Sequence, residues 1–500
     1  MHKLWVLVAV QATVAAASLV VEIVAGRMLA PYVGMSLYTW TSVIAVVLAG
    51  FSVGHWVGGR LAEWPADRAL RANGWAMIAA AVTTAGAVFL LRGVAGPVIT
   101  VLEDPVAAIV ALTMLVFFLP SFFAGIPAPI LSQIAVQRNP AQSGRALGAM
   151  FAAGAWGAII GTLAAGFVFI SWLGSVGTLT FVTVVYVAVA VYSFLAANGA
   201  RGWLMQGAVA ALVPLALAGA ALWRPDPCTR ESDYFCIRVV DISPSEAEPV
   251  RLMVLDHLVH GISDGLDASA MLTPHGMMQD GLSRMRMAGR DSWDGFIIGG
   301  GTYTVPRAWV EMGEPVRVTV AEVDPMVTEV AAESFWFDPD SVRVVHADAR
   351  IVLTREDTTY DVILGDAFTD IAAPPHLITR EFFELAASRL NPDGAFLMTI
   401  IDHLDRLDVL ASLTVTARKV FPEVEIWADP SHDVTQARRV FLMVAGETRS
   451  PVSEIRHDGP EPRRAVRVAE ASLQQIVETR RAIVLTDDFA PIDRLLGTGG

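Results

Sequence analysis

Cysteine is nearly missing from this chain, which has only Cys228 and Cys236 in 500 residues. Two thiols without a neighbouring cluster of histidines are too few for a structural zinc or iron–sulfur site, so no metal site is expected. The pair leaves two interpretations open. The residues are either unpaired thiols or a local disulfide bond, and a disulfide would indicate an oxidising compartment.

Charged residues are scarce in residues 1–223, which contain nine Lys and Arg and five Asp and Glu. Residues 224–500 contain 27 basic and 45 acidic residues, so this part carries the negative charge of the protein. An acidic surface repels phosphate backbones, and nucleic acid is therefore not an expected partner. The contrast predicts a lipid-embedded first domain followed by water-exposed domains.

Seven stretches of the first domain are long and apolar enough to cross a bilayer, which takes about 20 residues. They lie at about 4–24, 38–59, 72–92, 106–130, 147–172, 176–196 and 203–223. We predict a polytopic α-helical membrane domain of about seven spans over residues 1–223, with the lipid bilayer as its partner. The first stretch is too long for the apolar core of a signal peptide, so no cleavable signal is expected.

The rest of the chain is predicted to form three segments. Residues 224–292 form a linker and a small β-hairpin module, because apolar and polar residues alternate around the turn at Asp256. Residues 293–447 alternate short apolar strands with helix-length segments, which is typical of a parallel, doubly wound Rossmann-like sheet. Residues 448–500 are predicted to form a C-terminal helix and a possible active-site lid, for which Asp487 and Asp488 are candidates.

Polar residues follow the ends of four consecutive predicted strands, where ligands bind on such sheets. The first strand runs into Gly299, Gly300 and Gly301, which allow a close approach of the backbone to a ligand. Glu322 follows the second strand and is placed to accept both hydroxyls of a ribose. Asp348 and Asp366 follow the third and fourth strands, and Asp348 is placed to accept the amino hydrogen of an adenine.

This order favours an adenosyl site of the methyltransferase type over a dinucleotide site. Dinucleotide folds place two phosphates on a helix that begins with the fingerprint GxGxxG. Here Thr304, Val305 and Pro306 replace the last glycine of that fingerprint. The sequence therefore predicts a class I methyltransferase-like domain that binds an adenosyl-sulfonium compound such as S-adenosylmethionine.

At these motifs the chain resembles the spermidine synthase (polyamine aminopropyltransferase) family, in its membrane-fused branch. The resemblance covers about residues 235–447 and includes the glycine loop, Glu322, the pair Asp348-Ala349, and the strand 360–366 that ends at Asp366. It implies a sulfonium substrate, S-adenosylmethionine or its decarboxylated form, with no separate cofactor. It also implies Asp366 as the catalytic base. Further substrate-binding candidates are Thr302, Tyr303, Asp370, His260, His275 and Pro375.

The departures from the family concern the amine half of the site. Thr302 stands where the family has an aspartate, His260 and Thr399 stand for glutamines, and only His275 remains of a Tyr-His-Glu motif. Three functions remain open. We expect a lyase that cleaves S-adenosylmethionine to methylthioadenosine and homoserine lactone. The alternatives are an aminopropyltransferase that uses decarboxylated S-adenosylmethionine and a diamine, and a non-catalytic adenosyl sensor or transporter.

The expected location is a bacterial cell membrane, with conflicting signals for the side of the C-terminal domain. Segments 1–3, 60–71, 131–146 and 197–202 hold seven of the nine Lys and Arg of the first domain, which favours a cytosolic N-terminus. Seven spans would then place the C-terminal domain outside the cytosol. Because the expected substrate is made in the cytosol, we expect a cytosolic domain. The sequence gives no oligomeric state.

Overall fold

The computed structural model describes residues 3–102, 104–197, 201–366, 374–431, 438–457 and 462–496, without the side chains of 201–206. The chain forms two compact units, Met1–Pro227 and Cys228–Gly500, which we call the helical unit and the sheet unit. The division lies close to the predicted boundary at residue 223.

The helical unit is built from apolar helices with short connections. The helices are α1 (Leu4–Val33), α2 (Leu37–Ala62), α3 (Ala66–Val101), α4 (Pro105–Gly125), α5 (Pro127–Arg138), α6 (Ser143–Ala164), α7 (Ile170–Ala196) and α8 (Arg201–Trp223). A π-helical turn, Ala165–Phe169, joins α6 to α7.

Five helical runs among the described residues are long and apolar enough to cross a membrane. The run Pro140–Ala196 is 57 residues long, or about 86 Å of helix, which exceeds the thickness of one bilayer. It includes the predicted stretches 147–172 and 176–196, and its helix is interrupted at Gly174 (φ 65°, ψ 179°). Gly207–Trp223 is a shorter apolar helix. The helices are thus suited to a membrane, and the count of seven spans stays a prediction.

Glycines on α6 allow this helix to pack backbone to backbone against α1. A Cβ atom on Gly157 would lie 2.2 Å from the carbonyl oxygen of Ala12, and one on Gly161 would lie 2.2 Å from that of Ala16. Because both glycines advance by four residues as their partners do, α1 and α6 run parallel. Small residues at such spacing let helices approach closely in lipid.

The chain enters the helical unit at one end and leaves it at the other. One apolar cluster gathers the start of α1 with the connections α2–α3, α5–α6 and α7–α8, through Leu7, Ala62, Leu70, Ala146 and Ala196. The end of α8 lies elsewhere, because the carbonyl of Pro225 accepts a hydrogen bond from Arg92 of α3 at 3.0 Å. Arg92 is well past the middle of α3, on the side away from that cluster.

The sheet unit begins with a small antiparallel sheet that matches the predicted hairpin module. Its strands lie in the order β1 (Arg230–Glu231), β2 (Cys236–Asp241), β3 (Val250–Leu255) and β4 (Leu258–Asp264). Cys228 and Cys236 form a disulfide bond. Of the two interpretations that the sequence left open, the structure therefore has the disulfide.

A nine-stranded sheet forms the centre of this unit, in the order β12-β13-β10-β11-β9-β8-β5-β6-β7. Strands β9, β8, β5, β6 and β7 are parallel, and the remaining pairs are antiparallel. The strands are β5 (Trp293–Ile298), β6 (Val316–Ala321), β7 (Arg343–Val345), β8 (Tyr360–Gly365), β9 (Leu390–His403), β10 (Glu423–Ala428), β11 (Arg438–Gly446), β12 (Glu454–His457) and β13 (Arg463–Arg467).

Helices cover both faces of this sheet and bury its apolar side chains in two clusters. They are α9 (Pro274–Met287), α10 (Thr304–Glu311), α11 (Pro325–Ser334), α12 (Ala349–Arg355), α13 (Arg380–Ser388), α14 (Asp408–Ala417), α15 (Glu470–Thr479) and α16 (Ile492–Leu496). The parallel order β7-β6-β5-β8-β9 with an antiparallel extension confirms the Rossmann-like, methyltransferase-type fold expected from the sequence.

Two predicted features of the sheet differ from the structure. The expectation of a wholly parallel sheet is wrong for β10 and β11, which are joined by a short connection that only antiparallel strands permit. The sheet also continues past residue 447, where a helix and lid were expected, because β12 and β13 pair with each other and β13 pairs with β10. A helix, α15, follows these strands.

The contact between α1 and α6 predicts opposite effects for two glycine-to-alanine changes. Gly157→Ala should lower the melting temperature of the detergent-purified protein, because overpacking a close contact costs about 1–3 kcal/mol. Gly148→Ala, on the same helix with open space around its Cα, should raise it slightly through the better helix propensity of alanine. A thermal unfolding curve for each variant measures this, and equal melting temperatures would contradict the packing.

Candidate functional site

The turn after β5 depends on three consecutive glycines. Gly299 (φ 87°) and Gly301 (φ 53°) have left-handed backbones, which glycine adopts without strain. A Cβ atom on Gly300 would lie 2.3 Å from the ring of Tyr303. Side chains are thus excluded at all three positions, and the backbone of the loop stays open to a ligand.

The buried ring of Tyr303 packs against the glycine loop at Gly300. Its ring is fully buried, stacks on Phe337 with centroids 4.1 Å apart, and its hydroxyl lies 2.7 Å from that of Thr328. Burial raises the pKa of the phenol. The geometry contradicts the predicted contact of Tyr303 with the substrate, because the side chain packs in the core.

Glu322, which follows β6, fixes the loop through its carboxylate. One oxygen accepts a hydrogen bond from the amide of Gly300 at 2.7 Å, and the other accepts one from the amide of Asp324 at 2.9 Å. The side chain is buried, and burial raises its pKa although the backbone hydrogen bonds act in the opposite direction. The residue predicted to hold a ribose therefore also sets the position of the glycine loop.

Asp348 lies at the start of α12, where its carboxylate already has two partners. One oxygen caps the helix by accepting a hydrogen bond from the amide of Ile351 at 3.1 Å. The other lies 2.7 Å from Nε2 of His376. Ala349 follows and is buried. An adenine amino group would share this carboxylate with His376.

Asp487 belongs to a fixed contact rather than to a free lid. Its carboxylate pairs with the guanidinium of Arg350 at 2.6 and 2.8 Å and accepts a hydrogen bond from Thr379 at 2.7 Å. The hydrogen bonds from Arg350 and Thr379 lower the pKa of Asp487 to about 2. The predicted mobile role of Asp487 is therefore not supported by this geometry, whereas Asp488 is exposed beside it.

A cavity opens beside the glycine loop, between the hairpin module and the large sheet. Among its lining residues are six that the sequence selected: His260, His275, Gly299, Gly300, Thr302 and Asp366. The backbone amide of Asp366 donates to the carbonyl of Ile298 at 3.0 Å, which places the end of β8 next to the end of β5. The structure thus brings the predicted catalytic carboxylate to the predicted amine site.

His260 is the second titratable group of this cavity. Its Nε2 atom is buried and has no hydrogen-bond partner among the residues that the structure describes. Burial lowers the pKa of His260 to about 4, against the opposing effect of the nearby Asp366 carboxylate. The imidazole is therefore neutral at pH 7, and it offers a hydrogen bond to a substrate without adding a positive charge.

Hydroxyl groups link the glycine loop to the hairpin module. The hydroxyl of Thr302 lies 2.7 Å from that of Thr304, which lies 2.6 Å from that of Ser263 on β4. A Cβ atom on Gly261 would lie 2.1 Å from the hydroxyl oxygen of Thr302. Sequence reasoning missed this chain, because it joins segments about 40 residues apart that no spacing rule connects.

Gln279 provides a side-chain amide near Thr399, the position at which the family has a glutamine. Its side chain lies on α9, lines the cavity and donates a hydrogen bond to the hydroxyl of Thr399 at 2.8 Å. Thr399 stands where the resemblance implied a glutamine. A side-chain amide thus lies beside Thr399 and in the cavity, and only the folded chain shows this contact.

The remaining predicted residues that the structure describes do not line the cavity. Gly301 contributes its backbone to the loop, and Pro375 begins a short 3₁₀ turn beside α13. Asp370 lies outside the described residues. Within the described ranges, no group of three or more His, Cys, Asp and Glu residues is arranged to hold a metal ion.

Comparisons with known proteins agree with this geometry. Residues 294–436 match the family described as the spermine/spermidine synthase domain. A polyamine aminopropyltransferase of Vibrio vulnificus is 37% identical over 102 residues, which cover 20% of this chain and 34% of that protein. A polyamine aminopropyltransferase of Corynebacterium efficiens is 24% identical over 423 residues, which cover 78% of this chain and 76% of that protein.

The crystal structure of a probable spermidine synthase from Corynebacterium glutamicum overlaps with 52% of this chain and 97% of that chain, at 22% identity and a TM-score of 0.45.

The chain spans 34%, 40% and 58% of the lengths of its curated relatives from Vibrio vulnificus, Bifidobacterium longum and Dictyostelium discoideum.

The strand order and the glycine loop define a Rossmann-like domain of the methyltransferase class. Within that class, residues 294–436 match the spermine/spermidine synthase domain. This confirms the resemblance to spermidine synthases, while the membrane-fused branch stays a prediction. Spermidine synthases use decarboxylated S-adenosylmethionine as a substrate and need no separate cofactor.

The position of Glu322 predicts its effect on adenosyl binding. Glu322→Gln should weaken binding of methylthioadenosine about tenfold to a hundredfold, because it removes a charge-assisted hydrogen bond worth roughly 1.5–3 kcal/mol. Isothermal titration calorimetry on the full-length protein measures this. Glu329→Gln, at an exposed position on α11, should leave the affinity unchanged.

The same carboxylate sets the direction of the pH dependence. Because burial raises the pKa of Glu322, its charge is lost at a higher pH than that of an exposed glutamate. Affinity for methylthioadenosine should therefore fall as the pH is lowered through this raised pKa, and Glu322→Gln should remove that fall. An equal pH dependence in both proteins would contradict the assignment.

Proposed function

We propose that the sheet unit transfers an aminopropyl group from decarboxylated S-adenosylmethionine to an amine and releases methylthioadenosine. The observation that carries the proposal is the position of Asp366, at the end of β8 beside the glycine loop and in the cavity. The relatives named polyamine aminopropyltransferase support the same reaction. The comparisons favour this function over the expected lyase.

The chemistry assigns each group one task. Glu322 and Asp348 hold the ribose and the adenine, so that the sulfonium centre lies beyond the glycine loop, facing the cavity. Asp366 takes a proton from the ammonium of the acceptor, as a general base does. The free amine then attacks the methylene carbon next to sulfur, a C–N bond forms, the C–S bond breaks, and neutral methylthioadenosine leaves.

The cavity also limits the acceptor. Among its described lining residues, Asp366 is the one carboxylate, and His260 and His275 are the neighbouring titratable groups. An ammonium group that leaves water needs a carboxylate partner to offset its lost hydration. This lining therefore suits one ammonium group better than two, and we propose an acceptor with a single buried ammonium.

A second candidate function is the internal cleavage of S-adenosylmethionine to methylthioadenosine and homoserine lactone. The specific observation in its favour is Thr302, a buried neutral residue where spermidine synthases have an aspartate that would repel the donor's carboxylate. That carboxylate can close a five-membered ring on its own γ-carbon, and holding it in place lowers the barrier. No outside acceptor is required.

Product analysis distinguishes the two functions. Full-length protein incubated with decarboxylated S-adenosylmethionine and a set of mono- and diamines should release methylthioadenosine only when an amine is present, together with an aminopropylated product. Asp366→Asn should lower the rate about a hundredfold or more, as expected on loss of a general base. Asp340→Asn, at an exposed position, serves as the control.

Mass spectrometry that detects methylthioadenosine and the aminopropylated product distinguishes these functions. Methylthioadenosine and homoserine lactone formed from S-adenosylmethionine without an amine would show the lyase instead. No product under either condition, with methylthioadenosine binding intact, would favour a non-catalytic adenosyl sensor or transporter.

We also propose that the helical unit lies in a bacterial cell membrane with the sheet unit on the side opposite the N-terminus. The N-terminal end of the unit carries Lys3, Arg60, Arg68, Arg138 and Arg145, which favours a cytosolic position for that end. The chain leaves at the other end, as the contact of Pro225 with Arg92 indicates. The expectation that the C-terminal domain is cytosolic was based only on the fact that the expected substrate is made in the cytosol.

The disulfide bond supports the same orientation independently. Disulfides persist in oxidising compartments and are rare in the cytosol, and the Cys228–Cys236 bond lies immediately after the helical unit. On this proposal the adenosyl substrate has to be available outside the cytosol. The relative from Corynebacterium efficiens, whose match extends over 78% of this chain, supports a fused arrangement of both units.

Reporter fusions test the orientation. An enzyme that is active only outside the cytosol, fused after Gly500, should show strong activity, and a fluorescent protein that folds only in the cytosol should be dark there. A truncated fusion after Asn139, which follows α5, should show the reverse pattern. Reversed results at both positions would place the sheet unit in the cytosol.

A further inference from the structure

The helical unit contains a cavity that the proposed reaction does not use. It has a volume of about 550 Å³ and lies between α1, α2, α5 and α6. Cavities of 300–1,000 Å³ are typical of sites for small molecules. All of its lining residues belong to the helical unit, so the cavity is independent of the adenosyl site.

The lining is apolar and carries no Asp, Glu, Lys or Arg. Leu19, Phe51, Leu147, Met150 and Phe151 supply most of its large side chains. A charged group in such a lining would lose its hydration without gaining a partner of opposite charge, at a cost of several kcal/mol. The cavity therefore suits a neutral and mainly apolar molecule, and it excludes the ammonium-bearing substrates of the sheet unit.

Gln11 provides one unsatisfied polar group in this wall. The residue is 9% exposed, and its Oε1 atom is buried without a hydrogen-bond partner among the described residues. An unpaired buried acceptor costs about 1–3 kcal/mol. Gln11 lines the cavity, and the terminal amide torsion of glutamine is broadly tolerant, so a ligand hydroxyl or amide hydrogen in the cavity can satisfy this oxygen.

Polar and apolar groups are arranged along the cavity. Gln11, His55 and Ser132 lie toward the end of the unit that holds the N-terminus, as their places near the start of α1 and the ends of α2 and α5 show. Leu19 lies eight residues beyond Gln11 on α1, or about 12 Å deeper. The end near Gln11 thus offers several hydrogen-bonding groups. The deeper part is mainly apolar, because the hydroxyl of Ser18 there is already hydrogen-bonded to the carbonyl of Val14 and lies 3.3 Å from the hydroxyl of Tyr186.

We propose that this cavity binds a neutral lipid with one acyl chain and a hydroxyl-bearing head, of the monoacylglycerol type. The acyl chain fills the deep apolar part, and a head-group hydroxyl donates a hydrogen bond to Oε1 of Gln11. Ser132 and His55 provide further polar contacts at the same end. This site is separate from the proposed aminopropyl transfer and does not depend on it.

The test compares two lipids that differ in their hydrogen-bond donors. Native mass spectrometry of the full-length, detergent-purified protein is used to titrate 1-monooleoylglycerol and methyl oleate, which has the same chain and no donor. The wild-type protein should bind monooleoylglycerol about three- to tenfold more tightly, as expected for one hydrogen bond. Gln11→Leu should bind both lipids equally.

Two further variants serve as control and as independent check. Gln133→Leu changes an exposed glutamine of α5 outside the cavity, and it should keep the preference of the wild type. Ala158→Phe, which fills part of the cavity, should lose binding of both lipids while Gln11 remains. Size-exclusion chromatography and thermal unfolding show that each variant is folded.

Three outcomes would overturn the proposal: equal affinity of the wild-type protein for the two lipids, a preference that survives in Gln11→Leu, or unchanged binding in Ala158→Phe. The first comparison needs only the wild-type protein, so the proposal stays falsifiable even if a variant does not fold.

Discussion

The adenosyl end of the sheet unit depends on one buried carboxylate. Glu322 accepts hydrogen bonds from the amides of Gly300 and Asp324, and so it joins the end of β6 to the turn after β5. A carboxylate that is 5% exposed is costly unless such donors surround it. The amide of Gly300 in the glycine loop donates a hydrogen bond to this carboxylate, and the same bond fixes the position of the loop. Binding site and fold therefore share the same interaction.

The contact between Gly300 and Tyr303 also holds the glycine loop in place. The ring of Tyr303 occupies the space that a side chain at residue 300 would need, and it is held by Phe337 and Thr328. The loop is therefore packed tightly from inside and held by a carboxylate from the side. A rigid support of this kind would keep Asp366, the proposed base, and the sulfonium of the proposed substrate at a fixed distance, as transfer between two positioned groups requires.

Much of the sheet was predictable from the sequence, because buried parallel strands are short apolar runs that end in glycine or a carboxylate. The strand ends at Gly299, Glu322 and Asp366 lie at the predicted positions relative to β5, β6 and β8. Residues after 447 were harder to predict, because β12 and β13 carry many arginines and resemble surface segments. β12 is the edge strand and β13 is its neighbour, and strands at or beside an edge lack the apolar pattern of central ones.

The site was predictable where a motif follows a strand end, and not where side chains meet across elements. No local pattern connects Gln279 with Thr399, or Thr302 with Gly261 and Ser263. Tyr303 illustrates the opposite error, since its place in a motif suggested a ligand contact and its ring lies in the core. The number of spans was ambiguous for a related reason, because a long helical run with a break at Gly174 has no clear end in composition.

The ion pair of Arg350 with Asp487 has a consequence for the order of events during biosynthesis. These residues lie 137 positions apart, and their contact adjoins the cap at Asp348. Strands β5 to β8 and the glycine loop are already synthesised when the ribosome reaches residue 400, but the partner of Arg350 is not. The contact beside the proposed adenine site is therefore completed only after residue 487 has emerged. A nascent chain thus lacks this support until the segment around Asp487 has docked.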